Sequence, residues 1–473
     1  MLTEIALKEI HDNFLNARFI GACAVSLVII AASVGILSHS HEEQVREYQG
    51  NVRAQEEFID RYAHVNRLSW MSRRHREPPH LQALAAGIDD EAQQDNFVSN
   101  PLTVLFTRMD YASIVTIIIS LLAVLFSYNA VCGEKEAGLL RQILSSGVPR
   151  RTLIAGKYLG GLASVLIPFT ISFLAGALIL ALGPGVQLDG KDYAVFAALL
   201  AQSWLYLAVF FGLGLFVSTR ARTSAQAILV ALFAWVILVL VIPNISPFVA
   251  AELSPVPSVT QVNQQVYQLV DRERDAILDS RLRAMIASSY PELAEVIHLP
   301  TDAQQKRLAA DPVLRERYSR FTHERDAMIA DVNREQWAKA EKINADFQER
   351  SDRQESLARM LTSLSPASDF VFIATDLAET GIASDAHWRR QVNEYDEALG
   401  RLADARYRRA QEQNPAFSVN DYIDLRDRPR FREVHADLSD RMAPDGAQWG
   451  ILLVFNVLFF MLALAGFQRY DVR

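Results

Sequence analysis

The residues whose types and spacing could do chemistry crowd into positions 131–157, VCGEKEAGLLRQILSSGVPRRTLIAGK, between two long apolar runs. Glu134 and Glu136 precede Leu140, Ile143 and Leu144, which fall on one face of a helix, and Arg150, Arg151 and Lys157 follow. Acids in a first helical turn are favoured by the helix dipole. Gly147 predicts a left-handed cap that closes this helix, and Pro149 prevents its continuation. An apolar helical face with an acidic start, held against a bilayer by basic flanks, has the chemistry of docking. An ordinary amphipathic loop helix would carry the same pattern.

Other chemistries fit poorly. Gly156-Lys157 is the one tempting phosphate loop, but Arg151 stands in the place of its first glycine and Tyr158 replaces the hydroxyl residue that would bind magnesium. Nucleotide energy must therefore come from another chain. Ion-driven transport needs ionisable groups inside the membrane, and the central portions of the apolar runs hold no Asp, Glu, Lys, Arg or His. Their polar residues are Ser120, Ser127, Asn129, Ser164, Thr170, Gln202, Ser203 and Asn456, types that more often join helices than bind substrate. His39, His41, His64, His75 and His80 lack the spacing of a built metal site. Neither a Gly-x-Ser-x-Gly elbow nor a His-Glu-x-x-His pair occurs. The net charge of -8 argues against nucleic acid, and Cys23 and Cys132 lie in apolar runs, leaving the polar regions no disulfide framework.

Six apolar runs must position the loop, at 19–37, 111–131, 158–182, 193–218, 224–243 and 449–467, each long enough to cross a bilayer. A mean hydropathy of +0.08 averages these with large polar regions. The loop 132–157 carries five Lys or Arg and the turn 219–223 two, against one at 183–192, where Gly183-Pro184-Gly185 predicts a tight break. Short basic loops stay inside, so both termini are expected in the cytoplasm. The first run is a retained anchor rather than a signal peptide. Residues 1–18 set Leu2, Ile5, Ile10 and Phe14 opposite Glu4, Lys8, Glu9 and Asp12, predicting an interfacial helix; a solvated extension is the alternative. Pro168 predicts a kink in the third run.

Residues 38–110 and 244–448 then lie outside the cytoplasm. Val45, Tyr48, Val52, Ile59 and Tyr62 form a helical stripe in the first insertion, ended by Pro78 and Pro79. In the second, 313–365 contains neither Gly nor Pro, predicting a helix of roughly 75 Å at 1.5 Å per residue. Leu314, Tyr318, Phe321, Met328 and Val332 keep its rhythm, which slips before Trp337. Glycine is missing from 215–380, so hairpin turns and a sheet are not expected. The expected fold is an all-α membrane protein of six transmembrane helices, with both insertions packed into one helical extracytoplasmic domain; two separate hairpins are the alternative.

The loop resembles the coupling-helix loop of ABC-2 type permeases, whose pattern maps onto Glu134, Gly138, Leu140, Ile143, Leu144, Pro149, Arg150, Arg151, Gly156 and Lys157, with Leu139 where the family has Thr or Ser. The six-run layout with two large insertions is similar to the permeases grouped with multi-copper-enzyme maturation and gliding motility. The resemblance implies a non-catalytic subunit of an exporter in a bacterial inner membrane. Its partners would be two copies of an ATPase subunit, which bind ATP and Mg, and a second permease, identical or related. It implies that Glu134, Glu136 and Arg150 make polar docking contacts, that Leu140, Ile143 and Leu144 form the buried face, and that Gly138 permits close approach. The large insertions keep a second reading open, in which ATP turnover moves the outer helices against a periplasmic partner and nothing crosses.

Overall fold

The computed structural model describes residues 1–15, 17–64, 74–87, 109–183, 188, 190–414, 417 and 421–469. Pro184 and Gly185 of the expected break lie outside these, and the helix of the first insertion ends at Tyr62, ahead of Pro78 and Pro79. Among the described residues every regular element is a helix, and six are long and apolar enough to cross a membrane: Phe19–Tyr62, Tyr111–Glu136, Arg150–Leu182, Gly190–Arg220, Ser224–Leu253 and Leu438–Gln468, called here the first to sixth spans. The chain divides into two units, Met1–Asn244 with Thr362–Arg473, and Ile245–Leu361.

In the first unit, the fourth span is the most enclosed. Leu199, Tyr206, Leu207, Val209, Phe210, Phe211 and Leu215 on several of its faces are all fully buried, which is what a helix apolar all round does at the centre of a bundle. The polar side chains of the spans tie helices together. Tyr111 Oη and Ser203 Oγ lie 2.6 Å apart, Tyr206 Oη donates to the Thr116 carbonyl at 2.9 Å, and Trp235 Nε1 donates to Ser120 Oγ at 2.9 Å. Asn456 Nδ2 donates to the Leu205 carbonyl at 2.9 Å, and Trp204 Nε1 to Thr170 Oγ1 at 3.0 Å. The third span runs through Pro168 as one helix.

The first span belongs to a helix of 46 residues, Ala17–Tyr62, roughly 69 Å long at 1.5 Å per residue and so about twice the hydrocarbon thickness. The apolar run and the stripe expected beyond it are one rod. The stripe holds at Ile59, while Tyr62 turns outward and Ala63 takes the buried place. Ile59 and Ala63 pack with Leu399, Ala403, Ile423 and Leu425 of the second insertion.

The second insertion also re-enters the bundle. Helix Pro366–Leu377 is capped by Ser365, whose hydroxyl accepts from Ala367 N and Ser368 N and donates to the Leu238 carbonyl. Phe370 is fully buried with its ring 4.6 Å from Tyr206, and Gln202 Nε2 donates to its carbonyl at 2.5 Å. Apolar side chains of 366–377, within the expected insertion 244–448, pack in the core of the bundle.

In the second unit, helix Pro312–Thr362 spans 51 residues, and Tyr290, Leu293 and Phe321 form a core with Leu282, Met285, Ile286, Leu314 and Tyr318. The stripe does not slip: it continues from Val332 through buried Gln336 and Ala340, and Trp337 is 58% exposed. Residues of both insertions pack together around Ile59, whereas Ile245–Leu361 forms a unit of its own.

Candidate functional site

The loop folds as two short helices, Cys132–Glu136 and Leu139–Ser145, rather than one. Gly138 separates them at φ +72°, a left-handed conformation that only glycine adopts without strain. A Cβ there would meet nothing of this chain within 4 Å, so within the chain it is the backbone angle that requires the glycine. Gly147 takes the expected left-handed conformation at φ +82°, and Pro149 caps the helix that follows.

The acidic start is built into the bundle. Ser218 Oγ accepts from Val131 N at 3.0 Å and Cys132 N at 3.1 Å, fixing the break after the second span's apolar run. Lys135 Nζ donates to the Thr219 carbonyl at 2.7 Å, placing a cation on the C-terminus of the fourth span. Glu136 accepts from Ser224 N at 3.1 Å and Ser224 Oγ at 2.5 Å, placing an anion on the N-terminus of the fifth. Both charges oppose the partial charges of the helix ends they meet.

Glu134 turns the other way, into an ion triad. Lys157 Nζ lies 2.7 Å from its Oε1 and 2.6 Å from Glu9 Oε1; the lysine side chain is 3% exposed and each carboxylate side chain 19%. Lys157 is therefore a helical residue between two carboxylates, not part of a phosphate loop. Glu9 comes from the N-terminal helix Leu2–Phe14, which crosses the third span at small residues. A Cβ on Gly160 would stand 2.5 Å from the Ala6 carbonyl oxygen, and one on Gly156 2.6 Å from Ile5 Cγ2. Asn13 Nδ2 donates to Ser164 Oγ at 3.2 Å. The helix thus faces the bundle with Ile5, Ala6, Glu9 and Asn13, and exposes Leu7 and Phe14. The expected apolar stripe divides between these two directions.

The apolar face of Leu139–Ser145 is turned inward. Leu140 is fully buried among Val131, Leu153, Ile154, Leu215, Ala463 and Phe467, with Ile143 and Leu144 packed at the edge. Arg150 Nη1 donates to the Gln468 carbonyl at 2.6 Å, tying the third span to the end of the sixth. Of the seven candidate residues, Glu134, Glu136, Leu140 and Arg150 contact this chain's own helices, Ile143 and Leu144 are half-buried, and Gly138 is open. The surface that faces outward is Gly138, Leu139, Arg141, Gln142 and Ser145, with Leu139 at 50% exposure. Sequence reasoning missed Glu9, Lys135, Lys157 and Ser218 as structural partners. The glycine-lysine pair at 156 and 157, followed by Gly160, carried the signal for a helix packed close against the third span.

The arrangement is an exposed tip on a base tied to the span ends. A family model described as ABC-2 family transporter protein matches residues 3–472. A Pseudomonas aeruginosa protein named "Probable ABC transporter permease protein NosY" is 34% identical over 150 residues, 32% of this chain and 53% of that relative. Its namesake from Stutzerimonas stutzeri is 33% identical over 152 residues, 31% and 52% of the two chains. The chain spans about half the length of these curated relatives.

Proposed function

The chain belongs to the ABC-2 family of transporter proteins, and from that premise we propose that it is the non-catalytic exporter permease of an ATP-binding cassette complex. ATP and Mg are held by a separate ATPase subunit, two copies of which work with two permeases, this chain pairing with itself or with a related one. The loop end of the bundle and both termini face the cytoplasm of a bacterial inner membrane. The observation that carries this reading is the exposed tip Gly138-Leu139 on a base joined to four of the six spans. Closure of the ATPase pair pushes the tip, and the base passes the push to the span ends together.

The residues that make the polar base are not those that meet the partner. Docking falls to Leu139, Arg141, Gln142 and Ser145, with Leu139 as the apolar contact at the centre of an otherwise polar tip. Leu139→Arg is expected to leave the fold intact, because the side chain touches solvent, and to separate the permease from its ATPase. The test is to purify the chain from its native membrane in mild detergent, identify co-purifying proteins by mass and assay ATP hydrolysis. A bound subunit with a phosphate-binding loop, lost together with coupled turnover in Leu139→Arg, supports the docking model. Unchanged association in that variant refutes it.

One observation favours the second reading, in which turnover drives the extracytoplasmic helices against a periplasmic partner. Helix Pro366–Leu377 fills part of the bundle, and the polar groups of the spans are engaged with one another. Deleting 259–361 from the second unit discriminates the two. An exporter retains coupled turnover and cargo movement without that segment; a transmission protein retains turnover and loses its output.

A further inference from the structure

At the insertion end of the first unit, the chain leaving the buried helix Pro366–Leu377 is held by charged groups from three directions. Glu379 has φ +60° and is the one non-glycine residue with positive φ among the described residues. Such a conformation is disfavoured for a side chain with a Cβ, so contacts must maintain it. Its carboxylate accepts from Ala436 N at 3.0 Å, lies 3.0 Å from His435 Nδ1 and 3.2 Å from Arg441 Nη2. Its carbonyl accepts from Arg76 Nη2 at 3.0 Å and Ser384 Oγ at 3.0 Å. Arg441 also donates to the carbonyls of Leu377 and Ala436, at 3.1 and 2.9 Å. Next to this turn, Thr380 Oγ1 donates to the Ala85 carbonyl at 2.7 Å, and a Cβ on Gly381 would meet Asp376 Oδ1 at 1.9 Å. A compact knot therefore joins the bundle, the first insertion and the segment before the sixth span.

We propose that Glu379 and His435 form a proton-operated latch on this knot, closed when His435 is charged and loosened when it is neutral. Arg441 is buried and permanently charged, so it anchors the carboxylate wherever Glu379 is ionised; His435 is the adjustable partner, with its side chain 38% exposed and open to solvent protons. The groups facing His435 are Glu379, Glu433 and Glu77, with the His80 ring 6.1 Å away. Arg76 pairs with Glu433 at 3.5 Å, and His80 Nδ1 lies 3.9 Å from Asp192 Oδ2. The surroundings of His435 are acidic on balance. The hydrogen bond to Glu379 raises its pKa above the ordinary 6.5, against the opposing effect of burial. Burial pushes Glu379 up, yet its hydrogen bond to His435 and the charge of Arg441 prevail and hold it below the ordinary 4.5.

The signs give a window. A histidine with a raised folded pKa contributes stability below its unfolded value and loses it as pH rises through the folded one. A carboxylate with a lowered folded pKa contributes above its unfolded value and loses that as pH falls. The latch is tightest in mildly acid solution and slackens toward alkaline pH. Its chemistry is independent of the transport reading above, which supplies only the side of the membrane it faces.

The experiment is hydrogen exchange of the full chain in detergent at about pH 6 and about pH 8.5, corrected for intrinsic exchange, reading peptides over 376–384 and 433–441. The wild type is expected to lose about tenfold protection there on going alkaline, while helix Pro312–Thr362 stays constant. His435→Gln is expected to show the alkaline level at both pH values, and His435→Arg the acid level at both. His80→Gln keeps the wild-type response. A flat wild-type profile, or a pH response that survives His435→Gln, overturns the latch. Loss of protection throughout the chain in His435→Gln leaves the decision to His435→Arg, whose persistence of the wild-type response overturns it equally.

Discussion

Replacing Lys157 with Met removes one cation from between two carboxylates. The lysine side chain is 3% exposed and its ammonium makes contacts of 2.6 and 2.7 Å. Each charge-assisted contact contributes about 1.5–3 kcal/mol, and a buried pair broken on one side costs about 3–5 kcal/mol. Glu9 and Glu134 are each 19% exposed, so water reaches part of both and draws the cost to the lower end, about 3 kcal/mol. Most of that is the repulsion and desolvation of the acids left behind, not lost attraction. Lys157→Met in a Glu9→Gln, Glu134→Gln background should therefore cost less than about 1 kcal/mol, because methionine fills a similar volume and no charge is stranded. The assay is reversible unfolding in mixed detergent followed by tryptophan fluorescence, with exchange of residues 2–14 as a local readout. In the single variant the N-terminal helix should lose protection first, since Glu9 then opposes Glu134 directly. If Lys157→Met costs less than about 0.5 kcal/mol, or the same in both backgrounds, the triad is not what holds this helix to the loop.

Two further substitutions check the packing elsewhere in the first unit. Gly160→Leu drives a side chain into the Ala6 backbone, where a Cβ alone would stand 2.5 Å from the carbonyl oxygen; proteolysis should then cleave within residues 1–15 while the six spans remain folded, at a cost of about 1–3 kcal/mol. Arg428→Leu strands Glu56, 2.6 Å from the guanidinium, and Asp60 beside it; with Asp60 31% exposed the loss should be about 3 kcal/mol, read as earlier unfolding of the segment 421–437.

Much of the fold was legible because a lipid-spanning helix must satisfy its backbone internally and so announces itself by length and hydropathy. The left-handed cap at Gly147 was legible for a similarly local reason. What stayed hidden needed tertiary partners. Residues 366–377 are too short to cross a membrane and read with the rest of 244–448; only the place of Tyr206 and Gln202 on the fourth span shows what they fill. Trp337 drew the stripe of its helix off course because a tryptophan outweighs a glutamine on any hydropathy scale, yet Gln336 is the buried one. At the loop, charge pattern alone could not say which way an acid points. Glu134 and Glu136 are two residues apart, hence about 200° apart on a helix, and they serve opposite sides of the bundle.

The same geometry explains why a small push at the tip need not stay local. Leu140 sits among residues of the third, fourth and sixth spans, Lys135 grips the end of the fourth and Glu136 the start of the fifth. The tip therefore moves only if those span ends move with it. The fourth span is one helix of 31 residues, roughly 46 Å at 1.5 Å per residue. At the middle of this rod Gln202 and Tyr206 hold Phe370, and residues 376–384 fasten the end of Phe370's helix to the first insertion. A chain of packed contacts thus runs from the base beneath Leu139, along the fourth span, to the residues around Glu379. In the transmission reading proposed above, a clamped knot would make helix Pro366–Leu377 and the elements around Ile59 travel together, and a slackened one would uncouple them.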